Sequence, residues 1–141
     1  MRRVSTRILC LLSVLAAGCS EEVPVPVAFG SVACSSCRMQ IDAPGYAVQC
    51  RAADGSLAVF DDPGCLVIEI ETGRLQPTGV LFRHRSEDRW IPLARVGFVR
   101  DEGTPMRFGF AAVDRGAGTF SFDEVRAELR SRFGLMPLRS K

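Results

Sequence analysis

Asp54-Gly55 sits between two short β-compatible runs, Tyr46 to Ala53 and Ser56 to Phe60. This dipeptide closes a two-residue hairpin readily because glycine tolerates positive φ, so the front of the chain is expected to pair antiparallel. Directly afterwards, Asp61-Asp62-Pro63-Gly64 offers an N-cap carboxylate and a proline suited to a first helical turn. A short helix is predicted over Cys65 to Glu71, ending at Gly73, with Cys65, Ile68 and Thr72 on one face. Val80 to Arg83, Trp90 to Arg100 and Arg107 to Val113 read as further strands. Ser121 opens a capping box with Glu124, and Val125, Leu129 and Phe133 recur at helical spacing up to Gly134. The order predicts an α+β domain, a small antiparallel sheet with two helices on one face, in which a strand-strand-helix order occurs twice.

At 141 residues, with 47% apolar and 24% charged side chains, the chain has the composition of one folded domain. A large multidomain enzyme is excluded. The chain has a single histidine, His84, so a His-rich zinc or iron centre is excluded as well. Six cysteines and four methionines tilt any metal chemistry toward sulfur.

Residues 1–18 read as an export signal: Arg2, Arg3 and Arg7, then the apolar run Ile8 to Ala17, then Gly18 before Cys19. The run is too short for a spanning helix, which needs about 20 residues. Leu15-Ala16-Ala17-Gly18-Cys19 is similar to a bacterial lipobox, in which the cysteine is acylated and becomes the mature N-terminus. Cys19 is therefore the expected lipidation site, anchoring the chain to a membrane of the bacterial cell envelope with its domain in the periplasm. Loss of the signal leaves fifteen basic against sixteen acidic side chains, so no basic stripe suggests nucleic acid. Arg83-His84-Arg85, followed by Glu87 and Asp88, reads as a solvated surface turn. Pro24 and Pro26 make residues 19–32 an extended tether reaching at most about 40 Å, with the folded domain over residues 33–141.

Cys34-Ser35-Ser36-Cys37-Arg38-Met39 gathers two thiols and a thioether within six residues. Such spacing suits a metal, a redox disulfide, or half of a structural zinc site. Thioether is a poor zinc ligand but a good one for Cu(I), which makes Met39 the telling residue. Met106, carried by Thr104-Pro105-Met106 at the start of a predicted strand, is a second thioether candidate. The same methionines would also serve as core filler. Cys50 and Cys65 read as buried small residues or as disulfide partners rather than ligands, with Cys65 kept as a lesser ligand candidate because a helix N-terminus would favour its thiolate. Asp61 and Asp62 read as helix caps.

The order of these motifs resembles the NosL family of copper-binding accessory lipoproteins of nitrous oxide reductase. The resemblance runs from Cys19 through Cys34-x-x-Cys37-x-Met39, the Asp54-Gly55 turn, Phe60-Asp61-Asp62-Pro63-Gly64-Cys65, Trp90-Ile91 and Pro105-Met106 to Gly109-Phe110-Ala111-Ala112. It implies a Cu(I) metallochaperone, not an enzyme, that supplies nitrous oxide reductase or its copper-loading membrane machinery. The implied ligands are Cys37 and Met39, with Cys34 as a third sulfur and Met106 from the later motif. Two departures stand out: the family's glycine after the second cysteine is Arg38 here, and the glycine after the later methionine is Arg107. A site on a flexible, partly exposed loop would release its ion by ligand exchange. Two other readings stay open, an envelope thiol-disulfide oxidoreductase using Cys34 and Cys37, and a structural lipoprotein without catalysis.

Overall fold

A computed structural model describes residues 22–137. The expected signal segment, Cys19 and the last four residues lie outside them. Two sheets and two helices make the expected α+β domain. Strands β1 (Val48–Ala52), β2 (Leu57–Phe60), β3 (Pro77–Arg83) and β4 (Trp90–Pro92) form an antiparallel sheet in the order β2-β1-β3-β4. Strands β5 (Val96–Arg100) and β6 (Phe110–Asp114) form a separate antiparallel pair. Helix α1 (Pro63–Glu71) follows β2, and helix α2 (Phe122–Phe133) follows β6. Strand-strand-helix thus occurs twice, as β1-β2-α1 and β5-β6-α2, with β3 and β4 between.

Local chemistry accounts for most of these boundaries. The Asp62 carboxylate accepts the Gly64 N–H at 2.9 Å with Pro63 in the first turn, so α1 starts where its caps dictate. Ser121 and Glu124 form a reciprocal capping box on α2, which Gly134 ends in the left-handed conformation. Three sequence expectations need correction. The hairpin between β1 and β2 has a three-residue loop, Ala53–Gly55, since Ala52 pairs with Ser56 through N–H···O at 2.9 Å and Gly55 takes φ +83°. The Gly55 N–H donates back to the Ala52 carbonyl at 2.9 Å, and Asp54 accepts both the N–H and the hydroxyl of Ser56. The predicted strand from Trp90 to Arg100 is broken by a 3-10 turn at Leu93–Arg95, which passes the chain from one sheet to the other. Finally, His84 is buried rather than exposed, its Nδ1 accepting the backbone N–H groups of Ser86 and Glu87 at 3.3 and 3.1 Å.

Residues 22–32 also depart from a free tether. Gln49, 2% exposed on β1, accepts the Val25 N–H at 2.8 Å and donates to the Val25 carbonyl at 3.2 Å. Val27, Phe29 and Val32 pack against the core. Alternating valines across Pro24 and Pro26 give an extended segment with apolar side chains to bury, so it docks instead of hanging free.

The core joins both sheets and α2. Phe82 of β3 meets Phe98 of β5 edge to face, centroids 5.1 Å apart, and Phe122 of α2 at 5.3 Å. The two helices are tied by the buried carboxylate of Glu71, which Arg126 and Arg130 contact at 2.7 and 3.3 Å.

Candidate metal centre

The Cys34-x-x-Cys37 segment is a turn hung on β2, the sheet's edge strand. Ser35 donates its N–H to the Val59 carbonyl at 2.7 Å, and its hydroxyl accepts the Val59 N–H at 3.1 Å. The turn closes on itself through Cys34 N–H to the Met39 carbonyl at 2.8 Å and Arg38 N–H to the Cys34 carbonyl at 3.1 Å. That closure puts Arg38 at φ +66°, a conformation ordinarily left to glycine. The Ser36 hydroxyl donates to Glu69 of α1 at 2.6 Å, tying the turn to the helix.

This placement brings the turn against the residues where β2 runs into α1. Cys34, Cys37, Asp61 and Cys65 each offer a donor atom, and the four atoms all lie within 4.8 Å of one another. The Asp61 carboxylate accepts from the Cys65 thiol at 3.3 Å and from the Cys37 thiol at 3.5 and 3.6 Å. Cys34, Cys65 and Asp61 are buried, whereas Cys37 is half-buried. None of the four described cysteines, Cys50 among them, is in a disulfide.

The three thiols differ in acidity for identifiable reasons. Cys34 is lowered to about 6, chiefly by the neighbouring Cys65 thiol, whose one proton is shared between the Cys34 sulfur and the Asp61 carboxylate, with backbone amides of Asp61, Cys37 and Ser36 adding to the effect against the cost of burial. Cys65 is held protonated by that same hydrogen bond to Cys34, then by burial and by the Asp61 charge. Burial, followed by the neighbouring Cys34 sulfur, pushes Cys37 up to about 11. Without an ion the cluster therefore carries about one thiolate, with protons on the other two sulfurs. A soft cation that replaces those protons gains three thiolates and a carboxylate, a donor set that fits a trigonal S₃ or a tetrahedral S₃O ion. The group could hold a metal ion.

The methionines stand differently. Met39, two residues past Cys37, is 57% exposed. Met106 is half-buried against the core, and its backbone N–H donates to Asp62 at 3.1 Å, next to Asp61 of the cluster. Asp62 thus caps α1 and clasps the Met106 loop at once. Gly64 makes this approach feasible, because a Cβ there would lie 2.1 Å from the Phe108 ring. Cys50 lies elsewhere, buried on β1, where burial raises its thiol to about 11.

The sequence alone points to Cys34, Cys37, Met39 and Met106 as the site, leaves Cys65 as a lesser ligand candidate at a helix N-terminus, and gives Asp61 to helix capping. The signal that could have joined Asp61 to Cys65 is their i, i+4 spacing across the start of α1. No protein-family model, curated protein or solved structure matches the chain.

Proposed function

We propose that this protein binds Cu(I) as cargo at Cys34, Cys37 and Cys65 and hands it to an acceptor without catalysing a reaction. The observation that carries this reading is the convergence of three cysteine sulfurs and the Asp61 carboxylate on one point. Thiolates favour Cu(I) over harder ions, and the thioethers of Met39 and Met106 belong to segments beside the cluster. Burial of Cys34 and Cys65 protects the ion, while half-buried Cys37 leaves a side from which an incoming ligand can attack. On this reading the exchange takes place at the bacterial envelope, with Cys19 as the lipid anchor. The resemblance to the NosL family supports the maturation of nitrous oxide reductase as the destination of the cargo.

A second reading, a closed structural zinc site, is favoured by the burial of three of the four donors. Competition with a Cu(I)-specific chelator separates the two. The reduced protein should bind about one Cu(I) per chain and lose it in Cys34→Ser, Cys37→Ser and Cys65→Ser. Tight zinc binding with no retention of Cu(I) against the chelator would refute the copper reading.

A further inference from the structure

Among the described residues, two that are not glycine adopt the left-handed backbone conformation: Arg38 at φ +66° and Arg107 at φ +56°. The conformation crowds the Cβ of an L-residue, and glycine would adopt it freely. Arg38 follows Cys37, and Arg107 follows Met106, whose N–H is held by Asp62 beside the cluster. Both arginines are exposed, and among the described residues neither makes an ion pair. Several other arginines are matched to acids, as Arg74 is to Glu69, Arg85 to Asp101, Arg100 to Glu128 and Arg126 to Glu71, while Arg115 and Arg132, like these two, have no acidic partner among the described residues.

Three of the acids beside these arginines, Glu69, Asp61 and Asp101, are already engaged. Glu69, the carboxylate that feels Arg38, is held by Arg74 and Ser36. Asp61 is buried with the thiols. Arg107 lines a cavity of about 640 Å³ together with Arg100, Asp101, Glu102 and Arg132, and of its acids Asp101 is matched to Arg85. Glu102 is exposed there, and Arg132 donates to the Phe108 and Arg107 carbonyls. Half-buried Cys37 and exposed Met39, on either side of Arg38 in the chain, bring sulfur toward solvent beside that arginine.

Backbone strain that a glycine would remove, kept at two places to present unmatched cations, points to a use for the charge. We propose that Arg38 and Arg107 form the docking surface for an acidic polypeptide that receives the ion. This rests on the Cu(I) reading above. In the step itself, a thiolate of the acceptor attacks Cu(I), a Cu–S bond to this chain breaks, and the ion stays monovalent. The sulfurs left behind take up protons as the acceptor's thiols release theirs.

The test uses the Cu(I)-loaded reduced chain and two synthetic peptides with the same Cys-Ser-Ser-Cys core, one flanked by four glutamates, the other by four lysines. Transfer rates are measured by stopped flow at low and high salt. The ratio of rates to the acidic and basic peptides should fall about tenfold in the double variant Arg38→Gly, Arg107→Gly, and for wild type it should collapse at high salt. Glycine keeps both backbone conformations accessible, and Arg38→Gln with Arg107→Gln serves as a second variant that preserves side-chain bulk. An unchanged ratio in copper-loaded variants overturns the docking proposal alone. Failure of the wild type to hold Cu(I) against a chelator overturns the copper reading and the docking proposal together.

Discussion

The carboxylate of Asp62 accepts the backbone N–H of Met106 at 3.1 Å across 44 residues of sequence, while its other oxygen caps α1 through Gly64 at 2.9 Å. One fully buried side chain thus joins the helix that carries Cys65 to the loop that carries Met106.

Replacing Asp62 by alanine should leave both N–H groups without this acceptor. Loss of a cap costs about 1 kcal/mol and a buried unsatisfied donor about 1–3 kcal/mol, so urea unfolding should show a loss of about 2–4 kcal/mol. An effect under about 0.5 kcal/mol would mean the clasp is not structural.

Burial raises the Asp62 carboxyl to about 6, against amide hydrogen bonds from Gly64 and Met106 that favour its ionised form. A raised acid binds its proton more tightly in the folded state, so its contribution is fully present below the unfolded pKa near 4. That contribution is lost as pH rises through about 6. The stability difference between wild type and Asp62→Asn should therefore change by about 2–3 kcal/mol between pH 4 and 7, to the detriment of the wild type. Parallel stability-pH curves for the two metal-free proteins would contradict this.

Uptake of Cu(I) should expel protons. At pH 7.5 Cys34, lowered to about 6, is already ionised, whereas Cys37, raised to about 11, and Cys65, held protonated by its bond to Cys34, are not. Binding to all three thiolates then releases about two protons per ion, and apparent affinity should rise with pH across this range. Calorimetry in buffers of different ionisation enthalpy counts those protons. A count of zero would mean that Cys37 and Cys65 are not ligands as thiolates.

Cysteine replacements should separate the site from the core. Cys65→Ser is expected to weaken Cu(I) binding by at least about a hundredfold, since one of three soft donors is lost. Cys50→Ser should leave binding unchanged and cost about 1 kcal/mol of stability, because it buries a hydroxyl on β1. The reverse pattern in chelator competition would relocate the site.

Relief of backbone strain should be visible as stability. Arg38→Gly and Arg107→Gly are each expected to stabilise the metal-free chain by up to about 1 kcal/mol, the strain removed being partly offset by glycine's larger unfolded-state entropy. Thermal unfolding of the single variants measures it, and destabilisation by either glycine would show that the arginine side chain holds the fold.

Elements governed by neighbouring residues are legible in the amino-acid order itself: the starts of α1 and α2, set by Asp62-Pro63 and by the Ser121–Glu124 capping box, and the Cys34-x-x-Cys37 pair. Caps, turns and short spacings act within a few residues, so the chain's order alone carries them. The break at Leu93–Arg95, the docking of Val25 on Gln49, and the meeting of Cys34 and Cys37 with Asp61 and Cys65 are not legible in that way. Each depends on contacts between segments about 24 or more residues apart, or on which sheet a strand joins, as when Ser35 pairs with Val59 and swings the first two sulfurs over the start of α1. Such pairings are chosen by burial and by satisfaction of distant backbone groups in the packed molecule, quantities that no local window of residues contains.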